Sequence, residues 1–184
     1  MTSHRTTYPI EIAGLYRELP LFEVQHGLRI AILNILGDTE LVQACAVALA
    51  EKLSTYEYDV IATAEAKSIP LAYALSLTTE KPYVVLRKHF RTYMGETIQA
   101  ETISITTGSP QRLYLDEKDH DIIKNQKVVL IDDVISTGST LVGMKKVMDQ
   151  ANAEVVAEAA VLTEGDQKKW THIVSLGHLP LFTD

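Results

Sequence analysis

Apolar residues alternate along this chain between a helical spacing and the dense clustering of buried strands. Residues 38–53 carry apolar side chains along one face of a helix, with Asp38 as its N-cap. A short buried strand is predicted at 58–65, followed by a second helix at 68–79 that Ser68 caps. This order predicts a unit in which a strand leads directly into a helix.

The middle of the chain predicts a strand, a long loop and a hairpin. Residues 83–88, YVVLRK, form an apolar strand that ends in two cations. ETISITT at 101–107 and RLYLD at 112–116 alternate on either side of GSPQ, which predicts an antiparallel excursion. Residues 89–100, HFRTYMGETIQA, lack a clear period, which predicts a long mobile loop of the kind that often serves function.

The strand and helix pattern returns after residue 126. A strand is predicted at 127–132, a helix at 140–152 and another strand at 154–162. This order forms a βαβ unit, and such units build parallel sheets that bind ligands at the carboxyl ends of their strands. We therefore predict an α/β fold with a central parallel sheet flanked by helices.

Length and composition limit the number of domains. With 184 residues, of which 46% are hydrophobic, the chain can bury one sizeable core. We predict a single domain over 1–184 with its core at 36–163. The segments 1–35 and 164–184 fit the alternating pattern least, and we expect them to form a small hood, the second as a hood or edge segment.

Charge and apolar content exclude several classes of function. The formal net charge of −7 argues against a protein that holds nucleic acid by neutralising phosphates. No apolar run approaches the roughly 18 residues of a membrane span, and the N-terminus lacks the apolar region of a secretory signal. A cytoplasmic location is expected. Cys45 falls on an apolar helical face, which predicts a buried thiol, and the six histidines lack metal-ligand spacing.

The sequence VVLIDDVISTGST at 128–140 carries the clearest chemistry. Asp132 and Asp133 follow a buried strand, and a run of small residues leads from them into a helix. The helix N-terminus and its small residues can cradle a phosphate, while the acids can bind sugar hydroxyls or Mg²⁺. Together they predict a site for a ribose 5-phosphate. The alternative is that the acids merely end a strand and the small residues merely cap a helix.

This stretch resembles the phosphoribosyl pyrophosphate (PRPP) signature of the type I phosphoribosyltransferases, and the resemblance continues over 36–184. It implies that family's fold, with a hood formed by the terminal segments and a flexible loop. It also implies that Asp132 and Asp133 are catalytic and hold Mg²⁺ directly or through water. The residues that it implies for the 5-phosphate are Ser136, Thr137, Gly138, Ser139 and Thr140.

Two further segments resemble the family's pyrophosphate-binding parts. TAEAKSIPLAYALS resembles the pyrophosphate loop, notably that of the adenine enzymes, with Ser68 in place of a glycine. The resemblance implies a cis peptide between Ala66 and Lys67, and VVLRK resembles the strand that ends in a basic pair. The residues implied for pyrophosphate are Glu65, Ala66, Lys67, Arg87 and Lys88. Taken singly, each of these cations is equally typical of a solvated surface charge.

The segment 89–108, HFRTYMGETIQAETISITTG, resembles the family's flexible loop that closes over the substrates. The side chains implied for function in this loop are Arg91, Tyr93 and Glu96. Several adenine enzymes carry an acid in the short strand after the loop. Gln111 or Arg112 stands at the nearest position here, so a general acid at that place is not expected.

The resemblance implies a purine salvage enzyme that uses Mg²⁺ and transfers ribose 5-phosphate from PRPP to a purine base. Adenine is the base expected, because AEAK, GETI and VSLGHLPLF resemble the adenine group, and xanthine or another purine remains an alternative. PRPP and the base are then the partners, with neither nucleic acid nor membrane. A homodimer is also implied, with Arg87, Lys88 and the helix at 68–79 near its interface.

A regulatory protein that binds PRPP or a nucleotide without catalysis is the alternative from another class. A repressor of this kind carries a DNA-binding segment before the domain. The 35 residues that precede the predicted core are too few for a winged helix, and their arginines are balanced by acids. The sequence therefore favours an enzyme.

Overall fold

The chain folds as an α/β protein within residues 5–103 and 110–183, which the computed structural model describes. The elements up to residue 103 are β1 (Thr7–Ile12), β2 (Leu15–Gln25), β3 (Leu28–Ala31), α1 (Thr39–Leu53), β4 (Val60–Ala64), α2 (Ile69–Thr79), β5 (Tyr83–Leu86) and β6 (Ile98–Ile103). Those that follow are β7 (Pro110–Leu115), α3 (His120–Ile123), β8 (Lys127–Ile135), α4 (Ser139–Gln150), β9 (Glu154–Glu164), β10 (Val174–Leu179) and β11 (Phe182–Thr183).

A parallel sheet of five strands forms the centre of the fold. Its strands lie in the order β5, β4, β8, β9 and β10, and each neighbouring pair is parallel. This confirms the prediction of a central parallel sheet with helices in its crossovers. All the carboxyl ends of its strands consequently lie along one edge, which is where ligands bind in open α/β sheets.

Helices cover both faces of this sheet because its strands are apolar on both faces. Along β8, Val129 and Ile131 pack in the cluster that contains α1 and α2, whereas Val128 and Leu130 pack with α4. Alternate side chains of a strand point to opposite faces, so a continuous apolar run is what a doubly covered strand requires. Val128 to Ile131 are all fully buried.

Helix α1 begins as the sequence predicts, and α2 begins differently. Asp38 caps α1, since the backbone N–H of Leu41 donates to its Oδ1 at 3.1 Å. Ser68 precedes α2 but its side chain makes no cap hydrogen bond, so that part of the prediction is wrong. Its Oγ instead lies 3.0 Å from the carbonyl oxygen of Ala64 and 2.8 Å from Oγ1 of Thr63. The serine is therefore used inside the loop after β4.

The two terminal regions of the sequence meet in a second sheet. Strands β1, β2, β3 and β11 form an antiparallel sheet in that order, which we call the hood sheet. The segment 164–184 is divided between the two sheets, because β10 lies at the edge of the central sheet and β11 pairs with β3.

Arg17 joins the hood sheet to the start of α1. Its guanidinium donates to both carboxylate oxygens of Asp38, with Nε 2.8 Å from Oδ2 and Nη2 3.0 Å from Oδ1. Nη2 also lies 2.8 Å from Oε2 of Glu40. The hydrogen bond from Arg17 lowers the pKa of the Asp38 carboxyl below its ordinary value. A bidentate pair of this kind fixes both distance and orientation.

The predicted antiparallel excursion is confirmed over β6 and β7, which pair from Ile98 opposite Leu115. Residues 104–109, with the first two residues of GSPQ, lie outside the described residues. The hairpin is attached to the central sheet because Arg87 and Tyr114 exchange two backbone hydrogen bonds, of 2.8 and 2.9 Å. The helices of residues 5–103 and 110–183 include none long and apolar enough to cross a membrane.

Candidate active site

The candidate site lies at the carboxyl ends of β4, β5 and β8, where the central strands meet their loops. The loop after β4 contains Lys67, the end of β5 leads into Arg87, and the loop 136–140 follows β8. Because the three strands are parallel neighbours, their ends bring together the residues predicted for pyrophosphate and for the 5-phosphate.

The two acids lie within the last residues of β8. The strand was predicted to end at Asp132, but it continues to Ile135, so the acids belong to the strand and the loop begins after them. Asp133 is buried and Asp132 is half-buried. The backbone N–H of Asp133 donates to Oδ1 of Asp132 at 2.9 Å. The rigid strand thus sets the position of both carboxylates.

The neighbouring charges set the protonation of this pair. Nζ of Lys67 lies 2.8 Å from Oδ2 of Asp133 and forms an ion pair with it. Burial and the negative charge of Asp133 raise the pKa of Asp132 to about 7. Two carboxylates this close resist simultaneous ionisation, and Lys67 offsets the charge of one. A cation bound near Asp132 would favour its ionised form.

The loop 136–140 has the geometry of an anion cradle. Gly138 occupies the N-cap position of α4 with a φ of 77°, a left-handed conformation that other residues adopt at a cost. No N-cap side chain covers the first N–H groups of α4, because the cap is a glycine. Thr137 Oγ1 and Ser139 Oγ lie 3.1 Å apart, so their hydroxyls border the same turn. Ser136 is exposed, and Thr140 is half-buried in the first turn of α4.

The loop after β4 contains a non-proline cis peptide between Glu65 and Ala66. The expected position, between Ala66 and Lys67, is wrong by one residue. Residues 65–68 form turns between β4 and α2, and the backbone N–H of Glu65 remains in line with the sheet, donating to Leu86 O at 2.9 Å. Ala66 is exposed at this turn.

Glu65 holds the basic pair in place. Its Oε2 accepts from Nε of Arg87 at 2.6 Å, and its Oε1 accepts from the backbone N–H of Lys88, also at 2.6 Å. Burial alone would raise the pKa of Glu65, but the hydrogen bonds from Lys88 and Arg87 outweigh burial and lower it. Both carboxylate oxygens of Glu65 are thus occupied by Arg87 and Lys88, and the guanidinium of Arg87 is held in one orientation.

The predicted loop at 89–100 contains more structure than its sequence indicated. Thr92–Met94 form a 3₁₀ turn with Met94 buried, and β6 begins at Ile98. Tyr93 is exposed, and its hydroxyl accepts a hydrogen bond from Arg87, which adds to that of Glu65 in raising the pKa of Arg87. This places the hydroxyl of Tyr93 beside the basic pair.

Arg91 and Glu96, the other two residues predicted for the loop, are exposed. The backbone N–H of Glu96 donates to Oε2 of Glu117 at 2.8 Å. In the following hairpin, Nε of Arg112 lies 2.8 Å from Oε2 of Glu101. Cys45 is buried, and burial raises the pKa of its thiol to about 12, so it remains protonated.

Three residues that stabilise the candidate site were not predicted from the sequence. Thr63 donates from Oγ1 to the carbonyl of Ile131 at 2.8 Å, which ties β4 to β8 below the acids. Glu117 anchors the loop before β6, and Trp170 packs against Gly138. Only Trp170 gave a signal in the sequence, as the single tryptophan of the chain. Thr63 and Glu117 act through contacts that are distant in sequence.

An anion cradle and clustered cations lie at the carboxyl edge of a parallel α/β sheet, an arrangement suited to a phosphorylated ligand. A family model described as "Phosphoribosyl transferase domain" matches residues 32–173, and the chain belongs to this family. The resemblance seen in the sequence is thereby confirmed.

Curated relatives cover a large part of the chain. A protein of Methanococcus voltae named hypoxanthine/guanine phosphoribosyltransferase is 35% identical over 130 residues, which are 71% of this chain and 65% of the relative. A protein of Methanocella paludicola with the same name is 32% identical over 163 residues, which are 89% of this chain and 78% of the relative. The chain therefore spans slightly less than two thirds of the Methanococcus relative.

Solved structures share the fold. Adenine phosphoribosyltransferase from Thermoanaerobacter pseudethanolicus matches with a TM-score of 0.71 at 21% identity, over 87% of this chain and 95% of that chain. The Trypanosoma brucei adenine phosphoribosyltransferase in complex with AMP, pyrophosphate and ribose-5-phosphate matches with a TM-score of 0.63 at 20% identity. The match covers 82% of this chain and 70% of that chain. At these identities the likeness concerns the fold.

Proposed function

We propose that this protein transfers ribose 5-phosphate from PRPP to a ring nitrogen of a purine base and releases pyrophosphate. The observation that carries the proposal is the arrangement at one sheet edge of the cradle 136–140, the pair Asp132 and Asp133, and the cations Lys67 and Arg87. A phosphate, a ribose and a pyrophosphate need groups of these three kinds in this order. Membership of the phosphoribosyl transferase domain family supports the same chemistry.

The 5-phosphate and the pyrophosphate have separate sites in this proposal. Backbone N–H groups and hydroxyls of the loop 136–140 bind the 5-phosphate at the N-terminus of α4. Lys67, Arg87 and Lys88 surround the pyrophosphate, and Glu65 keeps Arg87 aimed at it through the 2.6 Å hydrogen bond. As the bond from C1′ to pyrophosphate breaks, negative charge grows on the leaving group, and fixed cations stabilise it.

The acids act on the ribose. In the transition state the ring carries positive charge, and the carboxylates of Asp132 and Asp133 at the end of β8 offset that charge. The pKa of Asp132 is raised in the free protein, so its carboxyl is only partly ionised there. A cationic ribose ring favours the ionised form of both acids, and their attraction to the ring is therefore strongest in the transition state. The purine nitrogen attacks C1′ from the face opposite to pyrophosphate, and the configuration at C1′ inverts.

Mg²⁺ fits the acid pair as a partner of PRPP. Among residues 5–103 and 110–183, no three His, Cys, Asp or Glu side chains are grouped to hold a metal. Mg²⁺ needs only one or two carboxylates when phosphates and water complete its shell. The half-buried Asp132 fits this role better than Asp133, which Lys67 already neutralises. When bound, Mg²⁺ supplies positive charge to the pyrophosphate.

Two kinds of purine have support as the base. The sequence resemblance of AEAK and VSLGHLPLF to the adenine enzymes favours adenine, which gives AMP. The names of the relatives at 32–35% identity favour hypoxanthine or guanine instead. An amino and an oxo group at C6 differ in hydrogen-bond pattern, so a pocket built for one leaves polar groups unpaired with the other.

A panel of bases with PRPP and Mg²⁺ tests the proposal. Pyrophosphate release and nucleotide formation are followed with adenine, hypoxanthine, guanine, xanthine and orotate, and a variant with both acids changed to Asn is the control. We expect turnover of adenine first, and hypoxanthine or guanine first supports the second candidate. Turnover of orotate alone refutes a purine enzyme. PRPP binding without turnover of any base supports the regulatory alternative.

We also propose that the protein forms a homodimer through the groove between α1 and α2. Val47, Tyr73 and Leu77 line this groove and are 50%, 52% and 64% exposed. Isolated exposed apolar residues are ordinary, but an apolar groove lined by several of them is typical of a contact surface. The helix α2 directly follows the loop that contains Lys67, so a dimer contact on α2 would also stabilise the position of that loop.

A further inference from the structure

Trp170 is fixed beside the loop 136–140 by contacts at both its side chain and its backbone. It ends the 3₁₀ turn Gln167–Trp170, and its Nε1–H donates to the carbonyl of Glu164 at 2.9 Å. The backbone N–H of Ile173 donates to the carbonyl of Trp170 at 3.0 Å. The indole is half-buried and packs against the cluster that contains α4. These contacts leave the ring little freedom to rotate.

The far edge of this indole lies against Gly138. A Cβ built on Gly138 would be 3.0 Å from Cη2 and 3.3 Å from Cζ3 of Trp170. The ring therefore occupies the side of the turn on which any other residue would place its side chain. Gly138 is also the residue with the left-handed backbone that begins α4.

We propose that Trp170 is a positioning residue that holds the turn at Gly138 in the conformation that receives the 5-phosphate, and that its emission reports occupancy of this turn. The proposal rests on the proposed function, because it takes the ligand to be a sugar phosphate. A planar wall on one side of a glycine turn limits its movement. The N–H groups of the turn then stay aimed at one point, which reduces the ordering cost of binding.

Ribose 5-phosphate is the probe, since it carries the phosphate and the sugar alone. In the wild-type protein we expect a saturable change of tryptophan emission, with a midpoint equal to the dissociation constant from calorimetry. Trp170→Ala should weaken ribose 5-phosphate binding about tenfold and raise KM for PRPP by a similar factor, with kcat nearly unchanged. Trp170→Phe keeps a planar ring and should recover most of this loss.

Tyr56→Ala is the matched control, because Tyr56 is an exposed aromatic residue before β4, at the opposite end of the central sheet. It should bind ribose 5-phosphate like the wild type. If Trp170→Ala does not fold, Trp170→Leu, which keeps apolar volume without a planar wall, replaces it with the same expectation.

Two outcomes overturn the inference alone: wild-type affinity and KM in the Ala or Leu variant, or binding seen by calorimetry without any change of emission. Absence of both ribose 5-phosphate binding and PRPP turnover in the wild-type protein overturns the proposed function as well. The wild-type measurements thus distinguish the two failures.

Discussion

Lys67 Nζ lies 2.8 Å from Asp133 Oδ2 and 3.3 Å from the carbonyl oxygen of Leu33. One ammonium group therefore touches the end of β8 and the segment between β3 and α1, while its own backbone belongs to the loop after β4. If pyrophosphate binds this loop as proposed, it would compete with Asp133 for the same ammonium. Binding of pyrophosphate would then be coupled to loss of the ion pair between Lys67 and Asp133.

The acid pair should matter more for turnover than for binding. In the variant that combines Asp132→Asn with Asp133→Asn, the side chains keep their size and the cradle 136–140 is untouched. We expect PRPP affinity to fall a few-fold and kcat to fall by about 10² or more. The fall in kcat is larger because the two negative charges that the substitutions remove stabilise the cationic ribose of the transition state. Calorimetric titration and steady-state rates measure the two effects. Full activity of this variant would contradict the assignment of the acids.

Gly138→Val should abolish PRPP binding. The branched side chain meets the ring of Trp170 and displaces the turn, so the N–H groups of the loop 136–140 no longer point at a bound phosphate, and the left-handed conformation adds roughly 1–2 kcal/mol of strain. Gly14→Val is the matched control for that strain, since Gly14 has a φ of 78° with no atom within 4 Å of its built Cβ. Both variants should lose thermal stability, Gly138→Val more because of its contact with Trp170, while only Gly138→Val loses binding in calorimetry. Normal PRPP binding by Gly138→Val would show that the cradle is misassigned.

Glu65→Gln tests the positioning of Arg87. The amide keeps an oxygen for one hydrogen bond but cannot accept two charge-assisted ones, so Arg87 loses its fixed orientation. We expect kcat/KM for PRPP to fall about tenfold. Glu57→Gln removes the comparable pair with Lys127 at the amino end of the sheet and should leave kcat/KM unchanged. Equal rates for the two variants would argue against this role of Glu65.

The bidentate ion pair between Arg17 and Asp38, which we call the clamp, should make the free energy of unfolding depend on pH. The pKa of Asp38 is lowered in the folded protein from 3.8, so the unfolded chain binds the proton more readily. The clamp therefore stabilises the fold fully above that value and loses its effect as pH falls through the folded pKa. Asp38→Asn retains a capping residue and removes the charge.

Urea unfolding should give Asp38→Asn a lower free energy of unfolding than the wild type at pH 7. The difference between the two free energies should become smaller towards pH 3. Arg17→Met should reproduce this result, and the double variant should lose less than the two single changes added together. A difference that stays constant with pH would exclude the clamp as its cause.

The groove between α1 and α2 should control association. Leu77→Glu places a charge on its most exposed apolar residue, and we expect a dimer to become a monomer in sedimentation equilibrium at micromolar concentration. Val142→Glu introduces the same charge at an exposed residue of α4, and it should leave the dimer intact. A wild-type monomer, or a dimer that tolerates Leu77→Glu, contradicts the proposed interface.

Local pattern predicted most of the central sheet and α1. The apolar run before Asp132 and the cap at Asp38 depend on neighbours in sequence, and such signals are readable from one chain. Ser68 misled the prediction because a serine before a helix can either cap it or bond within the preceding loop. The contact with Thr63, a buried residue of β4, decided between the two.

The sequence segments pointed to Asp133, Lys67 and Arg87, and these residues do lie at one edge of the sheet, but their contacts could not be predicted. The hydrogen bond of Glu65 depends on a partner 22 positions away, and the ring beside Gly138 comes from Trp170. Such pairings are set by tertiary packing, for which a single sequence has no local signal.

The pairing of β11 with β3 joins Phe182 to Arg29, about 150 residues apart in the chain. Closing so long a loop is entropically costly until the intervening segments have already folded and hold the two strands near each other. We therefore expect the central sheet to assemble before this pair forms. On the ribosome, the hood sheet stays one strand short until residues 182 and 183 have been synthesised.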